Sequence, residues 1–280
     1  MTFRRPTVFR SLFALAAALT LTACAPEPEP IEPAPVEVIV QGYEAIIDNG
    51  YGLPAVPSHF LEEPNRRVLV YYTGEEEPGT IEVDRYAKFL YWILDDGTAW
   101  RYPIAVGRLG KTISSDTVIR RKEEWPGWTP TANMIRREPE IYGDFAGGIP
   151  GGLRSPLGAR ALYLFRGGRD TYYRIHGTND LGSIGNSGSA GCIRMFNHDI
   201  IHLFDMVPNG TKVVMRSEED SQRIEEEYYG RGVELEALQI DPEDIYGAEA
   251  LAADRPLAEI LADHLTGETA ETETEADTQG

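Results

Sequence analysis

The hydrophobic pattern of the chain is strongest between residues 80 and 107, where β-branched and aromatic residues come in short runs. These runs read TIEVD (80–84), KFLYWIL (88–94) and AWRYPIAVG (99–107), and Asp95-Asp96-Gly97 separates the second run from the third. Short apolar runs with Asp-Gly between them are typical of strands joined by a hairpin turn. The pattern therefore predicts three strands here, and VLVYY (68–72) predicts a shorter one before them.

A second pair of strands is predicted at RALYLF (160–165) and TYYRIHG (171–177), with a glycine-containing turn between them. Successive strand residues point to opposite faces, so His176 shares a face with Tyr172 and Arg174 and lies at the end of its strand. Between the two groups of strands, 108–158 is irregular and rich in Gly, Pro and Trp, and loops of that length tend to be functional or disordered. Its aromatic residues argue against disorder.

The pattern changes to a helical period after Cys192. Asn197 is a plausible N-cap for a helix over 198–207, whose apolar residues recur at helical spacing. Pro208-Asn209-Gly210 ends this helix, and TKVVM (211–215) predicts a final strand. The sequence is thus mainly β, with one short helix after the cysteine.

The net charge of −19 over 280 residues is concentrated at the carboxyl end of the chain. Residues 217–280 hold 20 acidic and 3 basic residues, a net of −17, which leaves about −2 for the rest. A nucleic-acid partner is not expected, because binding one requires a basic face. We predict an acidic C-terminal extension over 217–280, with helices around 220–229 and 248–265 and a disordered end. It is either a solvated spacer or a docking segment for a partner.

The amino terminus has the pattern of an export signal. Basic residues precede the apolar run SLFALAAALTLTA, which is short for a membrane span, and the run ends in Leu-Thr-Ala-Cys24. This ending resembles a bacterial lipobox, which implies a signal peptide over 1–23 and lipidation of Cys24. The alternative is an ordinary cleaved signal followed by a chance cysteine. A Pro/Glu-rich tether (24–42) and an irregular N-terminal extension (43–79) follow, and Ala25 favours anchoring to the outer membrane over the inner one.

Lipidation of Cys24 would leave Cys192 as the only thiol of the mature chain. An unpaired thiol in an exported protein is either buried and inert or kept for its reactivity. His176 could take the proton of this thiol if the glycine-rich segment between them folds back. The backbone amides of Gly191 and Cys192 are candidates for an oxyanion hole. The two residues together predict a nucleophile and its base.

Other site types are less consistent with the sequence. Papain-like peptidases place the cysteine before the histidine, which is the reverse of the order here. No paired-cysteine spacing and no HExxH occur, so no metal is expected. His198 and His202 lie four residues apart and could form half of a metal site, but residues of the helix surface or rim have the same spacing.

Two segments together carry a family resemblance. IHGTN (175–179) followed by SAGCIRM (189–195) resembles the signature of the L,D-transpeptidase (YkuD) catalytic domain, and the likeness extends over about 80–215. The resemblance implies a β-sandwich-like catalytic domain, here over 80–216, with the cysteine in a groove. Ala190 departs from the pattern, because many members have a second histidine there. The residue roles that the resemblance implies are Cys192 as nucleophile, His176 as base, the Gly177 carbonyl as its orienting group, the Gly191 amide as oxyanion donor, Arg194 as support or carboxylate ligand, and Ser189 and Thr178 as substrate contacts.

The same resemblance implies a reaction. Cys192 would form a thioester with a peptidoglycan stem peptide, and an amine would then resolve it, giving a 3–3 cross-link or attaching an outer-membrane protein to the wall. Water as the acceptor would make the enzyme a carboxypeptidase or hydrolase. No cofactor is needed, and we expect a monomeric enzyme that is exported to the periplasm. The rival hypotheses are a sortase-like transpeptidase and a non-catalytic, wall-binding lipoprotein.

Overall fold

Most strands of the protein join a single mixed sheet, and the helices are short. The computed structural model describes residues 41–108, 113–237 and 239–253. The predictions made for the signal peptide, for Cys24 and its lipidation, and for the end of the acidic extension lie outside these residues. None of the helices within the described ranges has the length and apolar character needed to cross a membrane.

The described ranges contain thirteen β-strands and six α-helices. The strands are β1 (Ile46–Asp48), β2 (Tyr51–Leu53), β3 (Val68–Tyr71), β4 (Ile81–Asp84), β5 (Phe89–Ile93), β6 (Thr98–Pro103), β7 (Val106–Gly107), β8 (Thr117–Glu124), β9 (Arg160–Arg166), β10 (Arg169–Thr178), β11 (Ser187–Ser189), β12 (Ile193–Phe196) and β13 (Lys212–Met215). The α-helices are α1 (Ala132–Arg137), α2 (Pro139–Tyr142), α3 (Asn197–Met206), α4 (Glu218–Ile224), α5 (Glu243–Tyr246) and α6 (Ala248–Ala253), and single 3₁₀ turns occur at Ser58–Phe60, Gly143–Phe145 and Leu181–Ser183.

The large sheet has nine strands in the order β12-β10-β9-β8-β13-β4-β5-β6-β3. Two of its pairings are parallel, β10 with β12 and β13 with β4, and the others are antiparallel. The last strand of the sheet in sequence, β13, therefore lies in its middle, between β8 and β4. Two further two-stranded sheets are formed by β1 with β2 and by β7 with β11.

The mainly β fold class predicted from the sequence is confirmed. The predicted hairpin is present, because β5 and β6 pair and Gly97 has a positive φ of 81° at the turn between them. The prediction of irregular structure throughout 108–158 is wrong, since β8 runs through it and pairs with both β9 and β13. The cause is the composition of β8: TVIRRKEE has five charged residues in succession at its end, and this hides its apolar start.

The main core lies between the sheet and α3. Ile200 and Leu203 of this helix pack with Ile175 and Ile193, which belong to the adjacent strands β10 and β12. All four side chains are at most 1% exposed. Burial of apolar surface on this scale fixes α3 against the two strands that carry the candidate site.

The N-terminal extension is attached to the same helix. The Tyr43 hydroxyl donates to the buried Asp199 carboxylate at 3.1 Å, and the Arg67 guanidinium pairs with the same carboxylate at 3.1 Å. Burial raises the pKa of Asp199 to about 7, and the Arg67 charge opposes that rise. Residues 43–67 thus form part of the folded body.

The C-terminal extension also packs on the sheet. Arg216 follows β13 and is almost fully buried, where it pairs with Glu82, Asp84 and Glu225. The Ser221 hydroxyl of α4 donates to Asp84 at 2.9 Å. The described part of the extension is therefore not a solvated spacer.

Candidate active site

His176 and Cys192 line one cavity, and the parallel pairing of β10 with β12 brings them there. In this pairing His176 lies opposite Arg194, two residues after Cys192. Cys192 directly precedes β12, so it lies at the start of the strand that adjoins the histidine. The cavity has a volume of about 1670 Å³ and is lined by both side chains.

The imidazole of His176 is buried, with 4% of the residue exposed. Its Nδ1 lies 2.5 Å from the Gly177 carbonyl oxygen, so Nδ1–H can donate there and leave the lone pair on Nε2. Burial lowers the pKa of His176 to about 3, with a further contribution from the charge of Arg194. The ring is neutral at pH 7 and can accept a proton.

Asn197 fixes the backbone next to this histidine. Its Oδ1 accepts the Ala159 amide at 2.9 Å, and its Nδ2 donates to the Thr178 carbonyl at 3.3 Å. A β-carbon at Gly177 would overlap the Asn197 side-chain oxygen, so glycine is required there. The predicted N-cap role of Asn197 is wrong, because Asn197 is the first residue of α3 and its side chain reaches the neighbouring strands instead.

The Cys192 side chain is partly exposed and donates to the carbonyl of Tyr172 at a sulfur–oxygen distance of 3.9 Å. Within the described residues, no hydrogen bond joins this sulfur to His176. Burial of the thiol raises the pKa of Cys192, and the nearby Arg174 and Arg194 act in the opposite direction. The thiol is therefore protonated at neutral pH in this conformation.

Tyr172 offers its carbonyl because the strand is irregular there. The β9–β10 register shifts between Asp170 and Arg174, and Tyr172 has a positive φ of 62°, which is uncommon for a bulky residue. The Asp170 carboxylate accepts the Tyr172 amide at 2.8 Å and stabilises this bend.

A tight turn precedes the thiol. The Ser189 hydroxyl donates to the Cys192 carbonyl at 2.6 Å and accepts the Gly191 amide at 3.1 Å. Gly191 has a φ of 138°, a conformation that favours glycine. Ser189 thus closes the turn, and the Gly191 amide has a partner within the chain.

Three of the arginines that line the cavity are paired with carboxylates. Arg194 pairs with Asp180 at 2.9 Å, and Arg174 pairs with Asp170 at 2.7 Å. Arg108 pairs with Glu138 at 3.0 Å. An incoming anionic substrate would have to compete with these carboxylates for the guanidinium groups.

The remaining residues singled out from the sequence are Thr178, a predicted substrate contact, and the histidines His198 and His202. Thr178 is buried, lines the cavity, and accepts the Asp180 amide at 3.1 Å. His198 contacts the Glu44 carbonyl at 2.7 Å, whereas His202 contacts the Tyr102 hydroxyl at 2.8 Å. The two histidines thus have separate partners, and no group of three metal-ligating side chains occurs in the part of the chain that the structure describes.

Sequence reasoning missed Asn197, Tyr172 and Asp180 as parts of this site. Asp180 follows the HGTN segment closely and could have been proposed as a partner for Arg194. The contact of Tyr172 depends on a strand irregularity, which side-chain periodicity does not reveal.

The comparison with family models decides the assignment. The model described as the L,D-transpeptidase catalytic domain matches residues 78–215. These residues belong to the L,D-transpeptidase catalytic domain family. The match includes every strand of the nine-stranded sheet except β3, and it ends at Met215, before the C-terminal extension.

Curated relatives agree with the family model. The probable L,D-transpeptidase ErfK/SrfK of Escherichia coli is 38% identical over 128 residues, which are 45% of this chain and 40% of that protein. The putative L,D-transpeptidase YkuD of Bacillus subtilis is 34% identical over 139 residues, which are 49% of this chain and 66% of that protein. The chain thus spans less than half of the length of the first of these relatives.

Solved structures give further similarities. The Enterococcus faecium L,D-transpeptidase C442S mutant is 21% identical, with a TM-score of 0.38 and coverage of 50% of both chains. A Brucella melitensis structure, titled a probable carnitine operon oxidoreductase, is 47% identical, with a TM-score of 0.38, over 55% of this chain and 96% of that one. Both TM-scores are below 0.5, so the assignment depends on the family model and the curated sequences.

Proposed function

We propose that this protein is a cysteine-dependent L,D-transpeptidase that acts on peptidoglycan stem peptides through a thioester on Cys192. One observation carries the proposal: a partly exposed thiol and a buried, neutral imidazole line the same cavity, held there by adjacent strands. A thiol and a neutral base are the groups that acyl transfer requires.

The first half-reaction forms the thioester. As the Cys192 sulfur attacks the carbonyl of the diamino acid in the stem peptide, its proton passes to Nε2 of His176. The Gly177 carbonyl stabilises the resulting imidazolium through Nδ1–H. The amides of Gly191 and Cys192 stabilise the oxyanion, for which Gly191 exchanges its bond to Ser189. The C–N bond then breaks, and D-Ala leaves with the proton from His176.

The second half-reaction transfers the acyl group to an amine. Neutral His176 removes a proton from the amine as it attacks the thioester, and the thiol then leaves. An amine of a second stem peptide gives a 3–3 cross-link, and an amine of an outer-membrane protein gives attachment to the wall. Water in place of the amine gives the hydrolase or carboxypeptidase reaction. Arg194, Ser189 and Thr178 contribute to the substrate side of the cleft, and no cofactor is required.

The remaining proposals concern location and partners. The basic and apolar leader supports export, and the sequence around Cys24 supports a lipid anchor in the periplasm, on the outer membrane. Peptidoglycan is then the adjacent polymer, and we propose that the protein acts on it as a monomer.

The test of the catalytic proposal is the formation of a covalent adduct. Incubation with a carbapenem should give an acyl adduct on Cys192 by intact-protein and peptide mass spectrometry, because the lactam carbonyl replaces that of the stem peptide. The C192S variant should give none, and H176A should give it far more slowly. An unmodified wild-type thiol would contradict the proposal. Muropeptide analysis after incubation with purified peptidoglycan then separates 3–3 dimers, free tripeptides and protein conjugates.

A further inference from the structure

A segment outside the family match contributes to the cavity around Cys192. We call residues 233–237 and 239–253 the C-terminal strap. Its side chains line the same cavity as His176 and Cys192, and the lining positions are Ala237, Gln239, Ile240, Asp244, Ile245 and Ala253. The cleft of this protein therefore has a wall that the family domain alone does not provide.

The first anchor of the strap is the strand that leads to the thiol. The Ser187 amide of β11 donates to the Val233 carbonyl at 2.9 Å, and the Leu235 amide donates to the Ser187 carbonyl at 2.7 Å. The Leu235 side chain packs against Gly188, where a β-carbon would lie 3.2 Å from that of Leu235. Because β7 pairs with the other edge of β11, the strap occupies the remaining edge.

The second anchor lies in the loop before β9. Ile240 and Ile245 of the strap pack with Phe145 and Ile149. The Tyr246 hydroxyl donates to the Gly148 carbonyl at 3.0 Å. Arg154 of the loop donates to the Asp244 carbonyl at 2.7 Å and to the Ala250 carbonyl at 2.8 Å.

Each anchor includes residues of the family domain that line the cavity, namely Gly188 in the first anchor and Phe145 and Arg154 in the second. The strap is thus attached to two separate segments that line the cleft. From this geometry we infer that the strap determines substrate specificity by size: it admits a slender, uncross-linked stem peptide to Cys192 and excludes bulkier, already cross-linked ones. This inference builds on the proposed function, since it concerns which stem peptide reaches the thiol.

The experiment releases the second anchor and measures access to the thiol. Two full-length variants are used: R154Q/Y246F, which loses hydrogen bonds to three carbonyls, and I245D, which places a charge in the apolar contact. Rates of Cys192 modification are compared for iodoacetamide and for a maleimide carrying a long polyethylene glycol chain. We expect the bulky-to-small rate ratio to rise by roughly fivefold or more in both variants, because local opening admits the larger reagent.

The control is R223Q, which changes an exposed residue of the same extension paired with Asp220 and Glu75. It should keep the wild-type ratio. Hydrogen exchange at 239–250 reports whether the strap is released. Raised exchange with an unchanged ratio would overturn the inference, and so would unchanged exchange in both variants, since these contacts would then not hold the strap.

This readout is independent of the transpeptidase reaction, because alkylation requires only an accessible thiol. A wild-type protein that forms no carbapenem adduct but shows the change in rate ratio would contradict the proposed function and leave the size-limiting strap supported. A carbapenem adduct without the change in the bulky-to-small rate ratio would support the proposed function and contradict the size-limiting role of the strap.

Discussion

At the scale of single residues, the candidate nucleophile and the candidate base are both in their neutral state. The thiol donates to the Tyr172 carbonyl, and the imidazole is held by the Gly177 carbonyl. The pKa of Cys192 is raised, while that of His176 is lowered to about 3. Both shifts have burial as their main cause, and both favour the neutral form of each group. A preformed thiolate–imidazolium pair is therefore not favoured, and in the proposed reaction proton transfer has to accompany the attack on substrate.

The pH dependence of thiol alkylation tests this state. The rate constant for the reaction of Cys192 with iodoacetamide should keep rising as the pH increases beyond the ordinary thiol pKa of about 8.5. The raised pKa of Cys192 means that the reactive thiolate forms only at higher pH. No step should occur near pH 6.5, since His176 is already neutral there. The measurement is a stopped-flow or mass-spectrometric rate profile, with H176A as the comparison. A plateau already reached below pH 8 would indicate a preformed ion pair.

At the scale of elements, a buried charge cluster joins the sheet to the C-terminal extension. Arg216 has 1% of its side chain exposed and reaches Glu82 and Asp84 of β4 and Glu225 just beyond α4. Because three carboxylates surround it, loss of the guanidinium would leave buried negative charge without a partner.

The R216M variant should therefore lower the free energy of unfolding by about 3–5 kcal/mol, the range found when one partner of a buried pair is removed. Urea unfolding followed by tryptophan fluorescence measures it. The matched control is R223M, which removes solvent-exposed ion pairs that contribute little to stability. Equal losses in the two variants would show that the buried cluster has no special role.

The elements also show what the sequence could and could not predict. Runs such as KFLYWIL predicted strands correctly, because residues buried on both faces are apolar throughout. The pattern did not reveal β8, because its second half is charged and partly exposed. The likeness of the motif indicated His176 and Cys192 as the site, but not Asn197 or Tyr172, whose roles depend on contacts between distant segments. Contacts of that kind leave no periodic signal in the chain.

At the scale of the whole molecule, the segments on both sides of the family domain pack against that domain and belong to the same folded body. Arg231 of the C-terminal extension donates to the carbonyls of Ala87 and Lys88 at 2.5 and 2.8 Å. On the amino-terminal side, Tyr43 and Arg67 reach Asp199 of α3. The folded body therefore exceeds the family match at both ends.

Truncation tests this conclusion. A chain ending after Ser217 should have a Tm at least about 5 °C lower than the full chain, since each kcal/mol lost lowers the Tm of a protein of this size by about 2–4 °C. A chain ending after Ala253 keeps all the contacts described above and should unfold close to the full-length Tm. Differential scanning calorimetry measures both. Equal Tm values for the two truncated chains would show that 218–253 adds no stability.

Because β13 lies in the middle of the nine-stranded sheet, the sheet can form completely only after β13 has been synthesised. Before residues 212–215 are available, the sheet can form only as two halves, β12-β10-β9-β8 and β4-β5-β6-β3. The edges of β8 and β4 that pair with β13 are then unpaired. Joining them closes a loop of more than a hundred residues between β4 and β13, and pairings of such long range form slowly. A chain still emerging from a ribosome thus cannot build the whole sheet early. The thiol-bearing half gains its support only when nearly all of the family domain has been delivered.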